Sequence, residues 1–323
     1  MPSTSCVGKD TPAAQKLLKG QIFAYFACFA GNTMKHYKIY GFLFLTPVLI
    51  GVGILYLMII WNVIAAFTEW QGLKSTWNFI GLKYFLDLFS LRRFWVNIWN
   101  NFLWLLLFIG PTTLVGFVLA YLFSNIGRAE YLLRQVFLFP MALSFIITGV
   151  LWSWMYDPGS GLINTILKSF GMNTAHLGWL ADPKLSIYCM IFTGFWQYVG
   201  FAMVIYIGAI RGLSTSMIEA AKIDGAGRFR ILFQIIFPNV GHGTLICTTM
   251  LGITTVKVFD LVWIMTGGGP GIKTEVLPYL MYRLSFSQRN LGMGAATSIV
   301  ILILASFLVI PYSLWAMKRW VNT

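Results

Sequence analysis

Six apolar runs, at 41–67, 95–123, 136–156, 185–210, 240–266 and 292–317, recur along this chain. Each reaches the roughly 20 residues that a helix needs to cross a hydrocarbon core. Backbone amides and carbonyls find no water in lipid, so a crossing segment must be a helix or a strand of a closed barrel. The runs lack the two-residue alternation of a barrel strand, which leaves helices. The expected fold class is therefore an all-α membrane bundle. Composition agrees: only 10% of the 323 residues are charged, against about 25% in an ordinary soluble domain.

Six crossings put both termini on one side of the membrane. The N-terminal side collects Lys16, Lys19, Lys35, Lys38, Arg128, Arg134, Arg211, Lys222, Arg228, Arg230, Lys318 and Arg319 among others. That modest excess places both termini in the cytoplasm. The net charge of +13 then suits anionic inner-leaflet lipid. No basic cluster interleaved with stacking aromatics lies on a soluble face, which argues against a nucleic-acid partner. Residues 1–20 are polar and small, as in a disordered tail. Residues 21–34 suit a helix lying at the cytoplasmic interface, with a cleaved signal or a seventh short membrane segment as alternatives. The remainder, 35–323, is expected to form the membrane domain. Cys6, Cys28, Cys189 and Cys247, and likewise His36, His176 and His242, are scattered without ligand spacing, so no metal site is expected.

No inter-span segment exceeds about 30 residues, too few for a soluble domain. Any domain that transduces energy or captures a soluble ligand would therefore have to come from another polypeptide. Gly267-Gly268-Gly269-Pro270-Gly271-Ile272-Lys273-Thr274 misses the phosphate-loop pattern by its Ile272 and lacks a strand-to-helix context, so it reads as a glycine turn closing the fifth run. Lys257 and Asp260 read as a local ion pair rather than a proton relay.

The polar segment 211–239 between the fourth and fifth runs stands apart. Ser216 and Glu219 have capping-box spacing, which predicts a helix starting near Ser216. Gly225 offers the left-handed turn that would end it, and a second helix would follow from about Ala226 to Phe237. Ala220 and Ala221 keep the knob slim, while Glu219 and Asp224 present charge to a basic partner or serve as helix caps.

Glu219-Ala220-Ala221, Gly225 three residues after Ala221's neighbour Lys222, then Ile235, Phe237 and Pro238, resemble the EAA motif in permease subunits of binding-protein-dependent ABC importers. Phe237 replaces the leucine usual there. Phe259-Asp260 with Thr266-Gly267-Gly268-Gly269-Pro270, together with Phe79 to Tyr84, Leu138-Phe139-Pro140 and Trp154 to Asp157, are similar to the maltose-type carbohydrate permeases, in particular the larger subunit. The resemblance covers about 40–320. It implies a type I permease of six transmembrane helices in the bacterial inner membrane, with a cytoplasmic coupling helix. It also implies that Glu219, Ala220, Ala221, Asp224, Gly225 and Pro238 shape a ball received by an ATPase socket. The implied partners are a second, homologous permease, two ATPase subunits and an extracytoplasmic solute-binding protein. The resemblance further implies that this chain is itself non-catalytic and binds no cofactor, ATP and Mg lying on the ATPase.

In the register of that resemblance the solute path falls near Gln197, Tyr198 and Phe201 on the fourth span and Leu251, Thr254 and Thr255 on the fifth. Ordinary interhelical packing is the alternative for all six. The implied solute is a mono- or oligosaccharide, including an acidic one such as a uronate oligomer. Glycerol-phosphate-type solutes are the alternative within the family, and an ion-coupled secondary transporter the alternative outside it.

Overall fold

The computed structural model describes residues 45–72, 74–124, 129–172 and 178–321. The expected tail 1–20 and interfacial helix 21–34 lie outside the described residues. The chain falls into two compact units, 1–61 and 62–323. Helix α1, Leu45–Phe67, contributes its first seventeen positions to the former, with exposed apolar side chains throughout, as at Leu55 and Leu57.

The second unit opens with a small hairpin, the one departure from an otherwise helical fold among the described residues. Strand β1 (Thr68–Gln71) pairs antiparallel with β2 (Lys74–Phe79), Thr68 opposite Phe79. Helices follow as α2 (Lys83–Ser90), α3 (Arg92–Phe123), α4 (Glu130–Ala142), α5 (Phe145–Met155), α6 (Leu162–Ser169), α7 (Ser186–Arg211), α8 (Thr215–Ile223), α9 (Arg228–Asn239), α10 (Gly241–Val256), α11 (Asp260–Met265), α12 (Leu277–Tyr282) and α13 (Leu291–Val321). Helices α1, α3 and α7 are each long and apolar enough to cross a membrane.

Proline explains most departures from straight rods. Pro111 has no amide hydrogen to return to the preceding turn, and α3 widens over Leu105–Ile109 just before it. Just beyond the proline, Thr113 donates its hydroxyl back to the Ile109 carbonyl at 2.8 Å, so this polar side chain is satisfied within its own helix. The run 136–156, expected as one continuous crossing, is instead two helices bent by 98°. Pro140 tightens the end of α4, Leu143 and Ser144 turn extended, and Ser144 caps α5 by accepting from the Ile147 amide at 3.3 Å. Helices α9 and α10 meet at 72° beyond Pro238, again with a widened stretch, Ile231–Ile236, just upstream. The run 240–266 is likewise divided, α10 ending at Val256 and α11 starting at Asp260.

Apolar side chains gain nothing by leaving lipid for one another, so close backbone approach has to hold such helices together, and small residues permit it. Helix α7 is the hub. A Cβ on Gly116 of α3 would lie 2.5 Å from the Ala202 Cβ of α7, and one on Gly243 of α10 would lie 2.7 Å from the Ala209 Cβ. Gly200 lets the backbone of α4 at Phe137 rest directly on α7. Aromatic rings fill the spaces between, with Phe117 edge-on to Tyr206 and Phe237 at centroid distances of 5.3 and 5.1 Å.

Candidate functional site

At the C-terminal end of α7 the chain leaves the bundle, and α8 and α9 form a protruding knob. Its base is apolar and buried by Ala221, Ile231, Leu232 and Ile236, while Glu219, Ala220, Lys222, Asp224, Gly225 and Pro238 are exposed. Two carbonyls at the end of α8 are closed in the Schellman pattern: the Gly225 amide donates to Lys222 O at 3.1 Å and the Ala226 amide to Ala221 O at 3.0 Å. That geometry needs a left-handed residue, and Gly225 has φ +76°. Replacing it by valine should destabilise the knob by about 1–2 kcal/mol, read as faster amide exchange over 215–223. Asparagine, which tolerates this conformation, should cost much less.

The structure differs from the expected capping box. Helix α8 begins at Thr215 with Ser214 as its N-cap, and no side-chain bond caps it. Glu219 thus lies in mid-helix. Asp224 is the C-cap residue, at the end where a carboxylate opposes the helix dipole. Neither acid serves the helix that carries it. Among the described residues no hydrogen bond or ion pair reaches the Glu219 carboxylate. Two large apolar side chains flank the glycine turn, Ile223 at 85% and Phe229 at 81% exposure. Sequence reasoning missed them, although an apolar residue on each side of a helix-breaking glycine in a polar loop is a legible signal.

The knob is anchored to the bundle by an ion pair that no motif announces. Arg211, the last residue of α7, donates to both oxygens of Glu130 at 2.7 and 2.6 Å, and the Glu130 side chain is only 11% exposed. This two-oxygen clasp ties the start of α4 to the root of the loop.

The six path candidates separate into two groups that no described hydrogen bond or ring contact joins. Gln197 is buried and donates to Leu143 O at 2.8 Å, the carbonyl exposed at the α4–α5 bend, while its own Oε1 is left without a partner. Tyr198 stacks on Phe145 and meets Phe201 edge-on, with centroids 5.6 and 6.2 Å apart. On α10, Leu251 and Thr255 are buried, and the Thr254 and Thr255 hydroxyls donate to their own helix at Met250 O and Leu251 O. In this conformation, then, Tyr198, Phe201 and Thr254 retain accessible surface, whereas Gln197, Leu251 and Thr255 are packed.

At the opposite end of α7 the glycine turn is folded around a buried charge cluster. Glu275, 1% exposed, accepts from Arg93 Nε at 2.5 Å and Nη2 at 2.6 Å, and from Arg283 at 3.2 Å. Burial pushes the Glu275 carboxyl up, and Arg93 pulls it back. Asn100 of α3 donates to Lys273 O at 2.9 Å and Glu275 O at 2.7 Å, and the Leu277 amide donates to Asn101. Gly267, Gly268 and Gly271 all have positive φ, so the glycine turn expected from sequence forms. The Lys257–Asp260 ion pair does not form among the described residues. A break separates the two, Lys257 closing α10 and Asp260 opening α11, where the helix dipole favours its carboxylate.

Residues 112–317 match the family model described as the binding-protein-dependent transport system inner membrane component. The chain is 38% identical over 280 residues to a "Probable ABC transporter permease protein" of Pyrococcus horikoshii, covering 86% of this chain and 96% of that one. It is 33% identical over 286 residues to the alpha-glucoside transport system permease protein of Rhizobium meliloti, with 86% and 81% covered. A chain of a bacterial ABC transporter involved in the import of the acidic polysaccharide alginate, known from its crystal structure, has the same fold. The TM-score is 0.77 at 19% identity, over 91% of this chain and 99% of that one.

Proposed function

Since the chain belongs to the family of binding-protein-dependent transport system inner membrane components, we propose that it forms half of the translocation path of an ATP-driven sugar importer, with the 211–239 knob as its coupling element. The solute in this reading is a mono- or oligosaccharide, as for the alpha-glucoside relative, and an acidic oligomer is compatible with the alginate importer's shared fold. A homologous permease supplies the other half of the path. ATP hydrolysis takes place on two separate subunits, and a solute-binding protein delivers the sugar.

The observation that carries this reading is the exposed, unclaimed Glu219 on a rigid glycine-capped knob flanked by Ile223 and Phe229. A charged contact ringed by apolar side chains suits a groove in a partner protein. Closure of two ATPases would drive two such knobs together and tilt the attached helices as rigid bodies. Tyr198, Phe201 and Thr254 offer rings and a hydroxyl to a hydrated sugar in this state. Gln197, Leu251 and Thr255 join them only once α7 and α10 turn relative to each other.

Charge reversal at Glu219 tests the proposal. In membranes holding the full transporter, Glu219→Lys should cut retention of the ATPase and sugar uptake by at least about tenfold. The chain's own unfolding temperature should stay unchanged, because among the described residues nothing is bonded to that carboxylate. Uptake that survives the substitution, or that follows an ion gradient with no ATPase present, would overturn the coupling role. Labelling of a cysteine placed at 216–237 should occur only from the cytoplasmic side.

A further inference from the structure

A cleft of about 690 Å³ opens at the end of the bundle opposite the knob, lined by α3, the start of α7 and the glycine turn. Helix α7 is 26 residues long, so about 39 Å of helix separates the two ends. Three cations stand at the cleft: Arg92 from the first turn of α3, Lys184 from the approach to α7, and Lys273 from the turn. All three are exposed, and among the described residues none is paired with a carboxylate. Of the nearby acids, Glu275 is held by Arg93 and Arg283, while Asp182, among the described residues, accepts only the Lys184 backbone amide at 2.7 Å and keeps its charge. Three cations against that one carboxylate leave the rim net positive, which favours a bound anion.

Below the rim the chemistry changes. Trp95, Trp99 and Leu103 recur every fourth residue and form one stripe of α3, with Ile187 and Tyr188 of α7 among the other lining residues. The Trp95 indole N–H donates to Phe89 O at 2.9 Å, and the Asn100 amide is committed to Lys273 O and Glu275 O. Apart from the exposed Trp99 indole N–H and Tyr188 hydroxyl, few side-chain polar groups are left free along a slot that runs about 16 Å from Arg92 to Leu103. A sugar, polar on all its edges, would find only those few groups in place of its water. A molecule with an anionic head and a hydrocarbon tail matches both parts.

We propose that this cleft binds an anionic phospholipid of the leaflet opposite the knob, its phosphate among Arg92, Lys184 and Lys273 and an acyl chain along Trp95, Trp99 and Leu103. The site is independent of how the knob couples to its partner. The test uses the purified full-length chain, stripped of lipid in detergent and titrated with dioleoyl phosphatidylglycerol or dioleoyl phosphatidylcholine, with bound lipid counted by native mass spectrometry.

The anionic lipid should bind at least about tenfold more tightly than the zwitterionic one, and each of Arg92→Gln, Lys184→Gln and Lys273→Gln should weaken it about fivefold. Trp99→Ala should weaken binding of both lipids. Lys184 and Lys273 are exposed, and among the described residues their side chains have no partner to lose, so their single variants read binding even if the triple variant folds poorly. Equal affinity for the two lipids, or a preference that survives all three substitutions, overturns the proposal. Competition by glycerol phosphate as strong as by the whole lipid, or by an acidic oligosaccharide, also overturns it by showing that the tail is not read.

Discussion

Gly200→Ala should abolish stable folding of this chain, whereas Gly208→Ala, two turns further along the same helix, should be silent. A methyl group at Gly200 would overlap the carbonyl oxygen of Phe137, and a backbone atom cannot swing aside as a side-chain tip can. Overpacking a tight interior commonly costs about 1–3 kcal/mol, and this clash with a fixed atom belongs at or above the top of that range. Nothing lies within 4 Å of a Cβ at Gly208. There alanine removes the entropic penalty of glycine and should leave stability equal or slightly raised. The measurement is the fraction of detergent-solubilised protein that stays monodisperse on heating. Matching curves for the two variants would mean that α4 does not rest on α7 as described.

The second large effect is expected at the buried triad. Glu275→Ala strands two guanidiniums beside a cavity. Removing one partner of a buried pair costs about 3–5 kcal/mol, because the charge left behind has lost both water and counter-ion. The Arg93 side chain is 24% exposed and the Arg283 side chain 33%, so Arg283 can turn to water more readily and Arg93 should dominate the loss. A double-mutant cycle between positions 93 and 275 isolates the pair. Arg93→Met with Glu275→Leu should recover more than half of what Glu275→Ala loses, since a packed apolar replacement removes the desolvation cost as well as the attraction. If the losses of the two single variants simply add in the double variant, the cluster contributes nothing through that pair. Glycine at 268 leaves room for this arrangement: a Cβ there would sit 2.6 Å from the Glu275 Cγ.

The sequence carried the fold class because lipid is an undemanding solvent to read: apolar length alone marks a helix, and α7 fell within a residue of its expected bounds at each end. The same simplicity hides bends. Hydropathy records that 136–156 is apolar but not that Pro140 and the extended Leu143–Ser144 pair turn it through 98°. Gly225 was legible because a helix end has local chemistry. The capping-box spacing at Ser216 and Glu219 located the helix start to within one residue, but Ser214 takes the N-cap position and no side chain closes it. Tertiary charge pairs were the hardest to see. Arg93 meets a partner 182 residues away and Arg211 one 81 residues away, and no local pattern encodes such distances. The solute-path residues were placed by register with a resemblance, and in this conformation Leu251 and Thr255 are packed rather than exposed to a channel.

The elbow at Leu143 and Ser144 also dictates the order of biogenesis. Its arms, thirteen and eleven residues long, measure about 20 and 16 Å, and neither alone reaches across a ~30 Å hydrocarbon layer. The carbonyl laid bare at the joint is quenched by Gln197, which leaves the ribosome more than fifty residues later. Until then this segment carries an unsolvated peptide group that lipid cannot satisfy. Its final seating must therefore wait for the following crossing to emerge, so the third and fourth segments enter the bilayer as a pair.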